Sequence, residues 1–315
     1  EILSFSIFSF GAIKVCLRLK PQFIVSTSSR FMTVTLGFII SILLNSKHFI
    51  DLRDIFSETI SDLLTARSKL FSSLLKTIFF KLEKIVLSRS EGVNVVSKGF
   101  LDYFNGNGVD TSNWSFFPNG IDEEFISLNL QHFAEQSKRK IVTYAGNIGK
   151  GQALEKILPQ VAVSLKETHI FNVIGSGNSK DILEKKISES KLNNIFLYEP
   201  MHREDLIKIY LKSDIFFLHL DELPAFRRVI PSKLFEYGSF GIPIVAGIKG
   251  HSKEFFQAEL NYLFTFDPLN PEQCLEAFRE AELVVINPAE RQRFVDKFSR
   301  KNIMNSYGEH IATKI

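Results

Sequence analysis

The sequence predicts an α/β chain with two doubly wound parallel sheets in two domains, and three observations carry that expectation. Short apolar runs of strand length alternate with stretches of helical periodicity along most of the chain. A strand, a glycine-bearing loop and a helix follow one another from Lys140 to Gln152, an order that aims backbone N–H groups at phosphate. At 315 residues, 45% hydrophobic and 23% charged, the chain also has room for two cores rather than one.

Composition excludes several classes of function. The net charge of +3 is too small to argue for nucleic acid, and basic and aromatic residues do not interleave as they do in RNA-binding modules. Cys16 and Cys274 lie far apart and no Cys/His cluster has ligand spacing, so neither a disulfide framework nor a structural zinc is expected. A reducing compartment, the cytoplasm, fits. No Asp-x-Asp occurs, so no metal clamp for a diphosphate and no cofactor are expected. The 31 phenylalanines point either to well-filled cores or to a greasy surface.

The chain opens on Glu1 and an apolar run, Ile2–Ile13, with neither the basic n-region nor the cleavage site of a signal peptide, and reads as cut at its start. Gln22–Ser26 is a strand. Phe31–Leu44, broken by Thr33, Thr35, Gly37 and Ser41, is a buried helix, shorter than the roughly 18–20 residues a membrane span needs. The strand from His48 ends in Asp51-Leu-Arg53-Asp54, three charges at the edge of a sheet. Arg67–Ser90 lacks Gly and Pro, with Leu70, Leu74, Ile78, Leu82 and Ile85 on one face and Lys69, Lys76 and Lys84 opposite. Such a basic amphipathic helix packs on a core with solvated lysines, rests on an anionic leaflet, or does both.

Gly92–Ser97 is a strand, followed by a helix from Phe100 to Asn105, and Ser115–Asp122 is a strand running into a Pro118-Asn119-Gly120 turn. The polar stretch 126–139 separates a domain 1–125 from a domain 140–290, with a last helix over Arg291–Ile311. In the second domain Lys140–Gly146 is a strand, Asn147–Gly151 the loop and a helix starts at Gln152. Lys150 adds a point charge suited to a pyrophosphate. His169–Gly175 and Asn194–Tyr198 are further strands, and Met201–Leu211 a helix. Asp214 ends the strand next to it. Pro231 opens a short helix, Lys233–Tyr237, closed by Gly238 and Gly241 before the strand Ile242–Ala246. Glu236 on that helix faces the carboxyl ends of a parallel sheet, where a carboxylate can grip the two hydroxyls of a ribose.

Pro231-Ser-Lys-Leu-Phe-Glu-Tyr with Gly241-Ile-Pro-Ile-Val-Ala resembles the nucleotide-sugar segment of GT-B glycosyltransferases of family 4, above all bacterial enzymes of O-antigen and capsule assembly. The resemblance implies two Rossmann-like domains, the first incomplete here for lack of its opening strands and glycine loop, with the residues from 291 to 315 crossing back to it. Glu236 matches the second of the family's two glutamates, which contacts the ribose, while Arg228 occupies the place of the first. By the same resemblance Lys150 and Gly149 hold the diphosphate. Gly175, Ser232, Lys233 and Arg228 complete the donor side, Arg53 and Asp54 stand where relatives carry a catalytic His-Asp pair, and Asn119 and Ser97 lie on the acceptor side. The implied reaction is metal-independent transfer of a sugar from a nucleoside diphosphate, UDP, to a lipid-linked or saccharide acceptor at the inner face of the membrane. A UDP-N-acetylglucosamine 2-epimerase and a nucleotide-sugar-binding protein without catalysis remain as alternatives.

Overall fold

The computed structural model describes residues 2–28, 31–58, 69–128 and 138–315, and its backbone separates into two compact units, Glu1–Pro118 with Ile303–Ile315, and Asn119–Asn302. Most of the expected linker, at 129–137, and the start of the helix expected from Arg67 lie outside the described residues.

The first unit runs α1 (Ile2–Leu19), β1 (Phe23–Thr27), α2 (Phe31–Leu44), β2 (Lys47–Leu52), α3 (Lys69–Ser88), β3 (Gly92–Val95), α4 (Lys98–Gly106) and β4 (Ser115–Phe116). Its sheet has the order β1-β2-β3-β4 with every pair parallel. β3 is buried throughout, as is β2 beyond Lys47, and their polar members His48, Asp51 and Asn94 are buried with hydrogen-bond partners rather than turned to solvent. Helix α2 approaches the sheet closely. A Cβ on Gly37 would stand 2.9 Å from His48 Nε2, a ring nitrogen already 2.7 Å from the Ser26 hydroxyl. The chain end returns to this unit, where Tyr307 and His310 lie against Phe49 and Phe117.

Helix α3 turns a different face inward from the one its apolar stripe predicts. Ile78, Leu82 and Ile85 are 45%, 44% and 46% exposed, whereas Glu83, Val86 and Leu87 are buried; the side chains of Leu70 and Leu74 lie outside the described residues. The reason is the Glu83 carboxylate, which accepts the backbone N–H groups of Phe56 (2.7 Å) and Ser57 (3.2 Å). Burial pushes this carboxyl up to about 7. An ionisable residue thus holds the position that the periodicity assigns to the solvent side.

The second unit contains α5 (Glu123–Ile126), β5 (Lys140–Ala145), α6 (Leu154–Ser164), β6 (His169–Ile174), α7 (Lys180–Glu189), β7 (Ile195–Tyr198), α8 (Arg203–Tyr210), β8 (Ile215–His219), a 3₁₀ turn Pro224–Arg227, α9 (Ser232–Gly238), β9 (Ile244–Gly247), α10 (His251–Gln257), β10 (Leu263–Phe266), α11 (Pro271–Leu283) and α12 (Pro288–Phe298). The parallel sheet has the order β10-β9-β8-β5-β6-β7. From β5 the chain builds outward through β6 and β7, then crosses to the other side of β5 with β8. Strand order reverses there, and in open α/β sheets the crevice outside the carboxyl ends at such a reversal is where ligands bind.

The helix predicted over Arg291–Ile311 is two helices, α12 and α13 (Arg300–Ala312), parted at Ser299. Ile121 pairs with this residue: its N–H donates to the Phe298 carbonyl (2.8 Å), and its carbonyl accepts the Arg300 N–H (2.9 Å). Backbone groups spent on that bridge cannot continue one helix. Gly120 makes the approach possible, since a Cβ there would stand 2.6 Å from Arg300 Cα.

Candidate functional site

The loops after β5 and β6 form the floor of the site by packing backbone on backbone. Gly146 N–H donates to Ile174 (3.0 Å), Ile148 N–H to Ser176 (2.8 Å) and Ser179 N–H to Ile148 (2.9 Å). Gly175, at φ +146°, admits no side chain, because a Cβ would lie 1.9 Å from the Gly146 carbonyl oxygen. Gly177, at φ +157°, is in the same position against Ile148, at 2.3 Å. The Gly-x-Gly pair is therefore needed for loop-on-loop packing. Helix α6 begins at Leu154, two residues later than expected, because Ala153 adopts a left-handed conformation (φ 47°) and the Gly149 carbonyl accepts the N–H groups of both Gln152 and Ala153.

Above these loops, at the carboxyl ends of β5 and β6, lies a cavity of about 340 Å³ lined by Gly146, Asn147, Gly175, Ser176, Met201 and Lys233 among others. Lys233 is in the first turn of α9, and its ammonium lies 2.9 Å from each oxygen of Glu236, one turn on. The Tyr210 hydroxyl donates to Glu236 Oε1 at 2.7 Å. Lys233 and Glu236 side chains are 28% and 17% exposed, enough to meet a ligand while held by the protein. Ser232 is exposed at the start of the same helix.

Gly149 and Lys150 belong to the loop that supplies Gly146 and Asn147 but do not themselves line the cavity. Lys150 N–H donates to Asn178 Oδ1 (3.2 Å) and its side chain is exposed. Arg228 donates to the Pro224 carbonyl (3.1 Å) and so closes the 3₁₀ turn after β8. That segment is tied to the β5 loop through Asp221 N–H to the Gly151 carbonyl (2.8 Å).

Sequence reading passed over His219, at the end of β8. It is fully buried, its Nδ1 lies 2.7 Å from the Gln152 carbonyl, and its Nε2 accepts the Leu269 N–H at 3.1 Å. Those two bonds assign the proton to Nδ1. Burial pushes the imidazole down to about 4, so the ring that ties the β5 loop to the β10 loop is neutral. Tyr210, at the end of α8, was likewise passed over.

In the first unit, Arg53 Nε binds Asp51 Oδ2 at 2.8 Å, and the other Asp51 oxygen accepts Asn94 Nδ2 at 2.8 Å. Ser28 Oγ accepts the Arg53 N–H (2.7 Å). Asp54 is exposed, and desolvation of its carboxyl, opposed by Arg53, pushes it above the ordinary carboxylate range. Ser97 is wholly buried and caps α4, accepting the Gly99 N–H at 3.2 Å. Asn119 opens the second unit, beside Gly120. Asp214 accepts the Ile141 N–H at 2.8 Å, the structural role expected of it.

Residues 127–297, more than half of the chain, match the sequence profile of the family described as Glycosyl transferases group 1. WcaI of Escherichia coli (strain K12), named for colanic acid biosynthesis and as a glycosyl transferase, is 28% identical over 164 residues. That match spans 48% of this chain and only 39% of WcaI. Among solved structures, sucrose-phosphate synthase from Thermosynechococcus elongatus superimposes with a TM-score of 0.73 at 14% identity, over 97% of this chain and 77% of that one. Anabaena HepE in complex with UDP-glucose gives 0.73 at 14% identity, over 97% and 82%. The lipopolysaccharide outer core galactosyltransferase WaaB gives 0.68 at 10% identity, over 100% and 82%. At such identities the three structures speak for the fold alone, and they carry the GT-B glycosyltransferase fold class expected from the sequence.

Proposed function

The chain belongs to group 1 of the glycosyl transferases, and on that premise we propose that it moves a hexose or N-acetylhexosamine from a UDP-sugar to a lipid-linked or saccharide acceptor in cell-surface polysaccharide synthesis. The observation that carries this reading is the cavity at the carboxyl ends of β5 and β6, with Lys233 in its wall and Glu236 bound to that lysine. A ribose offers two adjacent hydroxyls, and a carboxylate accepts both. The diphosphate then lies toward the glycine loops and Lys150. UDP as the nucleotide is supported by HepE, whose structures contain UDP and UDP-glucose.

In the reaction an acceptor hydroxyl oxygen attacks the anomeric carbon, the bond from that carbon to the diphosphate oxygen breaks, and the hydroxyl's proton passes to the departing diphosphate. Negative charge grows on the leaving UDP, and fixed cations and N–H groups stabilise it more than they stabilise the intact donor. Lys233, Lys150 and the Gly146–Gly149 backbone are assigned that task, with no metal, a reading that rests on the absence of Asp-x-Asp from the sequence. Arg53 and Asp54 are proposed to face the acceptor, whereas Ser97, wholly buried as the cap of α4, is a structural residue and not the acceptor contact expected of it. A peripheral seat on the cytoplasmic leaflet belongs to the same reading. The half-exposed Ile78, Leu82 and Ile85 share α3 with the exposed Lys81, and no helix among the described residues is long and apolar enough to cross a membrane.

The test incubates the protein with UDP-glucose, UDP-galactose or UDP-N-acetylglucosamine and a polyprenyl-diphosphate-linked sugar in anionic or neutral vesicles. Transfer that survives EDTA and runs faster on anionic vesicles is expected. Epimerised free nucleotide-sugar, or binding with no product, would replace this reading, and equal rates on both vesicles would remove the membrane seat. Glu236→Ala is expected to weaken UDP binding about tenfold or more, as loss of a charge-assisted hydrogen bond does. An unchanged Kd refutes the assignment of Glu236.

A further inference from the structure

Glu236 is the fifth residue of a seven-residue helix, and its carboxylate hangs on a flexible side chain. Two groups hold it. Lys233 reaches both oxygens from the same helix, while Tyr210 reaches Oε1 from α8. The two differ in what a bound nucleotide-sugar does to them. Lys233 lines the cavity, so a diphosphate entering it competes for the ammonium. Tyr210 is fully buried, its ring set edge-on against Phe216 (5.1 Å), Phe240 (5.2 Å) and Tyr237 (5.7 Å).

Tyr237 extends this anchor to the sheet, since its hydroxyl accepts the N–H of Ala145 at the end of β5 (2.9 Å). A ring locked on three sides gives its hydroxyl one position. That hydroxyl holds Oε1, which Lys233 also reaches, so that once the lysine turns away Oε2 is left to a ligand.

We propose that Tyr210 is a positioning residue for donor binding: its hydroxyl fixes the Glu236 carboxylate toward the ribose when Lys233 turns to the diphosphate. The proposal rests on the reading of Glu236 given above. Burial, ahead of the neighbouring Tyr237 and Glu236, keeps the phenol far above its ordinary titration range, so it remains a donor at any physiological pH.

Tyr210→Phe removes the hydroxyl and keeps the packed ring. The experiment is a double-mutant cycle in the full chain, with UDP titrated calorimetrically into wild type, Y210F, E236A and the double variant. Y210F is expected to bind UDP about tenfold more weakly than wild type, and to change nothing further in the E236A background. In turnover it raises the donor KM and leaves kcat close to wild type. If E236A weakens UDP binding while Y210F does not, Tyr210 has no positioning role and the reading of Glu236 stands. If Y210F costs the same factor in both backgrounds, the effect is general loosening of the fold and the proposal fails. If wild type does not bind UDP, or E236A binds it unchanged, the reading beneath the proposal fails with it.

Discussion

His219 has both ring nitrogens committed, one to the Gln152 carbonyl and one to the Leu269 N–H, so it can only be neutral where it stands. Its folded-state value of about 4 lies below the ordinary histidine value. Stability from this group is therefore complete above about pH 6.5 and is lost as the pH falls toward 4, by roughly 3 kcal/mol in all. His219→Asn keeps a donor for Gln152 and has nothing to protonate. Between pH 7 and 4, scanning calorimetry is expected to show the wild-type melting temperature falling more steeply than that of H219N, with His48, also pushed down to about 4 by burial, contributing equally to both. Equal slopes would contradict the tether. Glu236 and Lys233 were legible because one short motif places them a single helical turn apart. His219 and Tyr210 were not, because what marks them is a partner 50 or 67 and 26 positions away.

At the scale of elements, most strands were legible to within a residue or two, whereas β10 (Leu263–Phe266) was not read at all. Where both faces are buried, as along β8 and β9, the strand is written as a nearly unbroken apolar run. The departures share one physical cause, a distant backbone or side chain that outbids local preference. Ile121 divides the last helix at Ser299, and Glu83 turns α3 by reaching for Phe56 and Ser57. The glycine loops combine the two cases: the pattern pointed to a turn, but the need for glycine comes from Gly146 in the neighbouring loop. Gly175→Ala must part the β5 and β6 loops, since the 1.9 Å approach involves backbone on both sides. It is expected to destabilise the protein by about 2 kcal/mol or more and to abolish UDP binding through displacement of Gly146. Calorimetry on the variant checks both, and an unchanged melting temperature with unchanged Kd would contradict the packing.

For the whole molecule, alternation of strand and helix was enough to expect two parallel sheets, and both are present. Composition left the role of the phenylalanines open, and the structure uses them both ways. Phe216, Phe217, Phe235 and Phe256 are fully buried, whereas Phe8 and Phe10 on α1 are 55% and 74% exposed. Family membership supports the proposed sugar transfer, and the cavity beside Lys233 is the place we propose for the donor. The central claim is that this place holds a nucleotide by its ribose. A crystal structure of the protein soaked with UDP tests it most directly. The account predicts the two ribose hydroxyls within hydrogen-bond distance of Glu236, the Tyr210 bond retained, and the diphosphate against the Gly146–Gly149 loop with Lys233 turned toward it. Density for UDP elsewhere, or a nucleotide in the cavity with Glu236 still closed on Lys233 and out of reach of the ribose, would contradict it.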